Sequence, residues 1–495
     1  MKACLHLQRR FAYVGHEIAT LLKERHGVTE FCGYVFTRAS YTFLKEQKDL
    51  TYTSLLLDED IHAQYKDEKI DYDFLSQLEK DYGIPNLWPY IDIDRIVRYG
   101  QLVREYPHKT PPYTHEEMLR ILQVKAKAVL KFLDDEKPDF IFFSAIGATA
   151  SLLLYHIAKK KGIRTLYLLS TRVQSQYLIS EHYSLFTGFE RIAPSETHFE
   201  QAHAFLSSFR ERPAPYARVD APEKRVLRRS QHFTFLRPHN LVRSVYYTLR
   251  AWFGHFGDPA RTDYSTIQPW HSALDRARRK LRVLIGYDDL YDEPIANEKY
   301  VYYPLHMEPE IVTMLLAPTY KDQLWIIGQI ARSLPVGYKL YVKEHAAMSG
   351  FRPRSFYQEL KKIPNVRLLR PNTNTKHGFD LIRNARLVTT LTGTVGWEAT
   401  LFQKPVITFG DVFYNALSNV RRCVDVHDLP QLVREQLESF VHDEKELETF
   451  VAKIYAASVP LELSDIWQQE HGAHVKERRN ELVPITDLLY KKARV

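Results

Sequence analysis

The pentapeptide TGTVG at residues 392–396 contains the residue types best suited to binding a phosphate group. It follows the strand-like run RLVTTL and precedes a helix that begins near Trp397. Small residues let the backbone approach a ligand, while the N–H groups of a first helical turn and two hydroxyl groups donate to it. A Thr that merely caps a helix, beside a Gly that packs on a neighbouring strand, fits the same pattern. The sequence leaves both interpretations open.

Charged and imidazole side chains follow two other strand-like runs. KLYVKEH ends with Lys, Glu and His at residues 343–345. YVYYPLHMEPE ends with His306, Glu308 and Glu310. Because the carboxyl ends of parallel strands meet at one edge of a sheet, we expect these groups beside the TGTVG turn. A cation, an imidazole and a carboxylate at a phosphate site fit a nucleotide donor, although each group alone also fits a solvated strand end.

Glu398 lies in the first turn of the helix after TGTVG. Its carboxylate either accepts hydrogen bonds from ribose or sugar hydroxyls or simply stabilises the helix N-terminus. On the acceptor side, His16 and Glu17 follow the first strand. The residues that follow later strands and are expected to face the cleft are Ser144, Gly147, Ser170, Thr171 and Arg172. Glycosyl transfer requires deprotonation of an acceptor hydroxyl, so His16 or Glu17 is the predicted general base. Alternatively, the pair has only a structural role, with Glu17 as an acid in the first turn of a helix and His16 as a residue near the helix cap.

The elements that must position these residues alternate between strand-like and helix-like segments along both halves of the chain. Strand candidates in the first half are the runs ACLHL, TEFCGYVFT, FIFFS and RTLYLLS. Residues 45–135 are predicted to be helical. After Arg282 the pattern restarts with RVLIGY, KYVYYPLH, KLYVKEH, VRLLRP, RLVTTLTG and KPVITFG. This alternation predicts an α/β protein with two Rossmann-like parallel-sheet domains facing a cleft.

We predict four segments: an acceptor-side domain at 1–208, a basic proline-containing linker or helical insertion at 209–281, a donor domain at 282–464 and a helical tail at 465–495 that packs back on the first domain. The length of 495 residues supports two cores. The run from Phe140 to Ala158 is long and apolar enough to imitate a membrane span, but its polar residues favour a buried strand and helix.

The positive charge of the protein is concentrated in one segment. Residues 209–282 carry 16 Lys and Arg against 6 Asp and Glu, although the whole chain has a net charge of only +8. Within them, residues 240–256 form an aromatic stripe flanked by basic side chains, and its predicted membrane-contact residues are Arg243, Arg250 and Trp252. Such a helix fits an anionic membrane surface or, alternatively, packing between the domains. No nucleic-acid-binding module accompanies the charge, so a nucleic-acid partner is not expected.

The phrases YYPLHMEPE, LYVKEH, TGTVGWEA and KPVITFG, in this order, resemble the capsule polysaccharide biosynthesis family of bacterial glycosyltransferases, which is related to the capsule Kdo transferases. The resemblance covers about residues 285–420 and implies a GT-B fold with the nucleotide-sugar held mainly by the C-terminal domain. Together with Gly396 of the turn, the donor-binding residues that it implies are His306, Glu308, Glu310, Lys343, His345, Thr392, Gly393, Thr394 and Glu398.

The expected function is therefore transfer of a hexosyl or Kdo-type sugar from a nucleotide-sugar to a surface polysaccharide or lipid-linked glycan. The alternatives are a sugar-nucleotide epimerase of the same fold and a non-catalytic glycan-binding or membrane-binding component. The cysteines, Cys4, Cys32 and Cys423, form no CxxC pair, which favours a cytoplasmic protein, at most peripheral at the membrane. No cofactor is expected.

Two DxD-spaced acid pairs, Asp58 with Asp60 and Asp92 with Asp94, have the spacing that metal-dependent sugar transferases of another fold use. Neither pair follows an expected strand directly. We therefore expect no metal site. The sequence also lacks the P-loop lysine, GxSxG, HExxH and GxGxxG motifs, which disfavours a kinase, a serine hydrolase or a nicotinamide enzyme.

Overall fold

The computed structural model describes residues 1–100, 111–216, 233–348, 350–371, 375–463, 466 and 473–494. Their strands form two sheets. The N-terminal sheet has the order β13-β6-β5-β4-β1-β2-β3. Its strands are β1 Lys2–Leu7, β2 Glu30–Val35, β3 Tyr52–Leu57, β4 Phe140–Phe143, β5 Arg164–Ser170, β6 Gln176–Ser180 and β13 Val459–Pro460. Strands β1 to β5 are parallel, whereas β6 pairs antiparallel with β5 and with β13.

Helices connect these strands and cover both faces of the sheet. They are α1 Phe11–His26, α2 Arg38–Glu46, α3 Asp58–Ala63, α4 Tyr72–Tyr82, α5 Trp88–Asp92, α6 Arg95–Tyr99, α7 His115–Glu136 and α8 Thr149–Lys160. Local sequence explains several of their ends. A capping box of Thr114 and Glu117 opens α7, and Gly27 in a left-handed conformation closes α1. Strand β4 and helix α8 divide the apolar run that imitates a membrane span.

The C-terminal sheet is parallel throughout, in the order β12-β11-β10-β7-β8-β9. Its strands are β7 Tyr300–Pro304, β8 Lys339–Lys343, β9 Val366–Leu369, β10 Leu387–Thr390, β11 Val406–Thr408 and β12 Val420–Arg422. The helices of this domain are α12 Gln323–Ser333, α13 Arg354–Lys361, α14 Thr375–Asn384, α15 Thr394–Leu401, α16 Leu429–Glu438 and α17 Glu444–Ala457. The predicted α/β fold with two Rossmann-like domains, each built on a mainly parallel sheet, is confirmed.

The sequence predicted one strand that the structure does not contain and missed four strands, β3, β6, β12 and β13. The run RVLIGY is not a strand, because residues 282–285 end the helix Pro269–Ile285, which we number α11. The sixth strand of the second sheet is instead β12. The polar first half also contains β3, where only helices were expected. Short apolar runs fit a buried helix and a strand equally well, and pairing with distant strands decides between them.

The connections between the domains differ from the predicted boundaries. Helix α9, Glu196–Glu211, packs on α17 of the C-terminal domain, so a boundary after residue 208 falls inside a helix. Near the C-terminus, β13 joins the N-terminal sheet at residue 459, before the predicted crossing at 465. The last helices are α18 Ala473–Glu477 and α19 Val483–Arg494. Helix α19 packs on α1, and Asp487 pairs with Arg25 there.

The basic segment contributes a pair of helices, α10 Pro238–Gly257 and α11, which pack on each other. No residue of α10 is buried. Among the residues that the structure describes, no helix combines the length and apolar character needed to cross a bilayer.

Candidate functional site

The TGTVG turn lies between β10 and α15, at the carboxyl edge of the C-terminal sheet. Its glycines are required by close packing. A Cβ atom at Gly393 would lie 2.8 Å from His306 Cε1, and one at Gly396 would lie 2.5 Å from the Tyr414 hydroxyl. That hydroxyl donates a 2.6 Å hydrogen bond to the Gly393 carbonyl. Packing glycines were one of the two interpretations left open by the sequence.

The hydroxyl groups of the same turn also favour the other interpretation, a phosphate-binding turn. Thr392 is fully buried, yet its Oγ1 has no hydrogen-bond partner in the part of the chain that the structure describes. Buried hydroxyl groups are normally satisfied, so an orphan of this kind indicates a missing ligand or water. Thr394 opens α15 and lines a cavity of about 110 Å³ between the domains.

His306 follows β7 and contacts the turn directly. The backbone N–H of Leu391 donates to its Nε2 at 3.1 Å, and the Thr390 hydroxyl lies 3.2 Å from the same atom. Burial lowers the pKa of His306 to about 3, so the ring is neutral at physiological pH. Because Nε2 accepts from Leu391, the ring proton resides on Nδ1, which lies beside Gly393. His306 can therefore donate one hydrogen bond next to the turn.

A buried arginine that sequence reasoning missed holds the two charged loops in place. Arg352 is completely buried, and its Nη1 lies 2.5 and 2.6 Å from the two carboxylate oxygens of Glu344. Its Nη2 donates to the His306 carbonyl at 2.5 Å and lies 3.3 Å from Glu308. Tyr357 donates to Glu344 at 2.7 Å. Glu308, predicted to bind the donor, is thus engaged in fixing the loop that carries His306.

Three other predicted donor residues, Glu310, His345 and Lys343, belong to the loops and strand ends near Arg352. The Glu310 carbonyl accepts from the Thr313 hydroxyl at 3.0 Å and so opens a π-helical turn, Val312–Leu316. His345 is exposed, and its Nδ1 accepts from the Ala347 N–H at 3.2 Å. Lys343 ends β8, and burial lowers the pKa of its ammonium group while nearby Glu398 opposes that shift.

Glu398 lies in the second turn of α15, not in the first turn that the sequence predicts, and both domains supply positive charge near it. Burial raises its pKa to about 7, and the charges of Arg172 and Lys343 oppose that rise. Glu398, Arg172 and Thr394 line the same interdomain cavity. A carboxyl group that titrates near neutral pH in a cleft is typical of binding and catalytic sites. The structure thus brings Glu398, Lys343, His306 and the TGTVG turn together.

The predicted general bases lie elsewhere. His16 is buried inside the N-terminal domain, where its ring nitrogens contact the Tyr52 hydroxyl and Asp49, each at 2.9 Å. Glu17 is also buried, and Arg479 of the C-terminal tail lies 3.9 Å from it. Helix α1 begins at Phe11, so both residues lie in its second turn rather than at its start. Neither lines the interdomain cavity, so the structure does not bring them to the donor-side residues, and the general-base assignment stays a prediction.

The Asp58–Asp60 segment follows β3 directly and begins α3. From the sequence, no strand is expected immediately before this pair. Its acids are engaged by protein groups. Asp58 is fully buried and pairs with Lys125 at 2.8 Å, while the Tyr264 hydroxyl donates to it at 2.6 Å. Glu59 accepts from the Tyr264 N–H at 3.0 Å and from the Ser265 hydroxyl. These contacts fasten the loop between α10 and α11 to the N-terminal domain.

Within the described ranges, no group of three or more His, Cys, Asp or Glu side chains has an arrangement that could hold a metal ion. From the sequence, His471 and His474 could share a helix face, where a solvated surface pair is expected rather than a metal site. His471 and the side chain of His474 lie outside the described residues.

The predicted membrane-contact residues lie on α10. Trp252 is 44% exposed and Phe253 is 76% exposed. Arg243 stacks over the Tyr247 ring at 5.6 Å, on the same helix, and Arg250 lies two turns farther along. The alternative interpretation, an interdomain packing helix, finds no support in the described residues, because α10 buries none of its side chains.

Residues 296–418 match a family model described as capsule polysaccharide biosynthesis protein. This segment contains all ten predicted donor-side residues, and the match confirms the family resemblance indicated by the sequence. No curated protein matches the chain significantly.

Several solved structures resemble the chain at low identity. The β-Kdo 2,4-transferase of KpsC from Thermosulfurimonas dismutans is 13% identical over 64% of this chain and 80% of that chain, with a TM-score of 0.35. The β-Kdo 2,7-transferase of the same protein is 14% identical over 72% and 89%, with a TM-score of 0.32. UDP-GlcNAc 2-epimerase from Methanocaldococcus jannaschii is 13% identical over 92% and 98%, with a TM-score of 0.26. Likeness at this level supports no conclusion about a substrate.

Proposed function

We propose that this protein is a glycosyltransferase that moves a sugar from a nucleotide-sugar donor to a surface polysaccharide or a lipid-linked glycan acceptor. The observation that carries the proposal is the position of Glu398, which lies at the domain cleft among Arg172, Lys343 and the TGTVG turn. The match of residues 296–418 to capsule polysaccharide biosynthesis proteins supports the substrate class.

The chemistry of glycosyl transfer fits these groups. As the bond between sugar and phosphate breaks, negative charge grows on the leaving nucleotide, and fixed positive groups stabilise that charge. Lys343 and the N–H groups that open α15 lie on the donor side of the cleft. Because side chains and backbone groups supply this charge, the proposal requires neither a metal ion nor a cofactor. The transferred sugar is of the hexosyl or Kdo type.

Within the site, Glu398 accepts hydrogen bonds from hydroxyl groups of the donor. It lies in the second turn of α15 and lines the interdomain cavity. His306 donates from Nδ1 beside Gly393, while Arg352 fixes the loop that carries it. In this assignment Glu308 and Glu344 act as positioning residues, because their carboxylates are engaged by Arg352.

Release of free nucleotide tests the proposal. The purified protein is mixed with CMP-, UDP- or GDP-linked sugars, with and without a capsule-type oligosaccharide acceptor. Transfer predicts nucleotide release that depends on the acceptor. Conversion of the donor to an isomer without acceptor would instead indicate an epimerase, and binding without any turnover would indicate a non-catalytic component.

We further propose that α10 and α11 dock on the anionic inner face of the plasma membrane, where a cytoplasmic enzyme meets lipid-linked acceptors. Large apolar side chains of α10 are exposed, including Val242 at 70%, Phe253 at 76% and Phe256 at 63%. Segment 209–282 carries 16 basic residues against 6 acidic residues, and an excess of positive charge attracts anionic headgroups. An exposed apolar helix with cationic flanks is the pattern of interfacial binding.

Liposome flotation tests this surface. The triple variant R243A/R250A/W252A is compared with the parent on vesicles of phosphatidylcholine alone and of phosphatidylcholine mixed with phosphatidylglycerol. We expect the parent to float only with the anionic vesicles and the variant to stay unbound. The matched control R191A/R332A/W325A removes the same residue types from exposed positions outside the basic segment and should float like the parent. Equal flotation of the triple variant and the parent would reject the membrane surface.

A further inference from the structure

Arg172 lies at the tip of the β5–β6 hairpin, the part of the N-terminal domain that enters the C-terminal domain. Its backbone is left-handed, with φ of 60°, and Gln174 has φ of 46°. Such conformations are unfavourable for residues with a Cβ atom, and they cluster where function requires them. The Thr171 hydroxyl stabilises the tip by donating to the Gln176 carbonyl at 2.9 Å.

The hairpin tip is fastened to the C-terminal domain on both sides of Arg172. Val173 is fully buried in the core cluster that contains Trp397 and Phe413. The Trp397 indole N–H donates to the Arg172 carbonyl at 3.1 Å. The Arg172 guanidinium lies over the Phe413 ring at 5.5 Å, and its Nη1 lies 3.5 Å from the Thr392 carbonyl.

These contacts hold a cation at the TGTVG turn without neutralising it. Within the described ranges, no carboxylate oxygen forms an ion pair with Arg172 at 4 Å or less. The Arg172 charge opposes the rise that burial causes in the pKa of Glu398, and it adds to the lowering of the pKa of His306; both groups belong to the donor side. The orphaned Thr392 hydroxyl belongs to the same turn as the carbonyl that Arg172 contacts. In the part of the chain that the structure describes, the Arg172 guanidinium group therefore contacts the same residue, Thr392, whose buried hydroxyl group has no hydrogen-bond partner.

We propose that Arg172 binds a phosphate group of the nucleotide donor, so that the N-terminal domain completes the phosphate subsite of the C-terminal domain. The inference rests on the proposed function, because it assigns the residue a role in the same donor site. The planar guanidinium group presents paired donors that match phosphate oxygens, which an ammonium group does not. As a consequence, donor affinity depends on the pairing of the two domains through the hairpin tip.

Binding of matched ligand pairs tests the inference. Isothermal titration compares CMP with cytidine, UDP with uridine and GDP with guanosine for the parent, R172A, R172K and the exposed-arginine control R191A. For the pair that the parent binds, R172A should weaken nucleotide binding about 10- to 100-fold and leave nucleoside binding unchanged. R172K should recover part of the loss, and R191A should match the parent.

The outcomes separate this inference from the proposed function. A parent protein that binds none of the nucleotides would overturn the proposed function itself. Equal nucleotide affinity of R172A and a binding-competent parent would overturn only the role of Arg172. An equal loss of nucleoside and nucleotide binding would show a structural role and also overturn it. If R172A does not fold, the comparison of R172K with the parent decides, since R172K keeps the charge and the backbone contacts.

Discussion

The indole N–H of Trp397, in the first turn of α15, donates a 3.1 Å hydrogen bond to the backbone carbonyl of Arg172 in the N-terminal domain. Trp397 is 1% exposed and packs against Phe413 at a ring separation of 5.3 Å. One side chain thus links the helix that follows the TGTVG turn to the hairpin of the other domain. The turn at the donor side of the cleft is therefore connected directly to the contact between the two domains.

Replacing Trp397 with Phe should weaken donor binding several-fold. The substitution removes the indole N–H, leaves the Arg172 carbonyl without that donor and reduces the buried volume, at a cost of about 1–3 kcal/mol in stability. Isothermal titration measures the affinity and urea unfolding measures the stability. Trp325→Phe, at a 42% exposed position, is the control and should change neither. Normal donor affinity in destabilised W397F would contradict the link between this contact and the donor site.

Replacing Glu398 with Gln should weaken donor binding or turnover by about tenfold, because a hydrogen bond to a charged acceptor is lost. His345→Ala should produce a smaller loss in the same direction, since His345 lies exposed after β8 near His306. Both variants should keep the circular dichroism spectrum of the parent. Unchanged kinetics in both variants would remove the proposed donor site.

The same Glu398→Gln variant should change how stability depends on pH. Burial raises the pKa of Glu398 from 4.5 to about 7, so the folded state binds this proton more tightly than the unfolded state. The parent therefore loses stability as pH rises from about 4.5 to 7, and E398Q does not lose this contribution. We expect E398Q to melt at a higher temperature than the parent at pH 8 and at the same temperature near pH 4.5. A constant difference between the two melting curves across this range would contradict the raised pKa.

Removing the Arg352 side chain should destabilise the protein by about 3–5 kcal/mol, because it leaves Glu344 buried without its partner. The double variant R352M/E344Q, which removes both charges, should recover much of that loss. Urea unfolding of the single and double variants measures both values. Arg354→Ala, which breaks an exposed pair with Asp289, is the control and should cost less than about 1 kcal/mol. A similar cost for Arg352 and Arg354 would contradict the anchoring role of Arg352.

The sequence predicts that the proposed donor-side residues lie at one edge of the sheet, because they belong to loops that follow parallel strands. His306, Lys343 and Glu398 are each close in sequence to a recognisable strand, so topology alone brings them to one edge. Arg352 could not be found in this way. It follows no strand directly, and its role depends on burial against Glu344 and the His306 carbonyl, which only the folded chain determines.

The burial of the predicted acceptor-side residues could not be read from the sequence for a related reason. His16 follows β1 in sequence, but Asp49, Tyr52 and the C-terminal tail residue Arg479 enclose it and Glu17. Asp49 and Tyr52 are more than 30 residues from His16, and Arg479 is more than 450 residues from Glu17. The sequence around residues 16 and 17 therefore gives no sign of their burial. The missed strand β3 likewise concealed that Asp58 begins a helix at a strand end, where it pairs with Lys125.

Mass spectrometry of the acceptor tests the central claim most directly. The parent protein is incubated with the nucleotide-sugar that binds in titration and with a capsule-type oligosaccharide. We predict that the oligosaccharide gains the mass of one sugar residue as an equal amount of free nucleotide appears, and that E398Q slows both changes together. An oligosaccharide of unchanged mass, while the donor is isomerised or remains intact, would contradict glycosyl transfer.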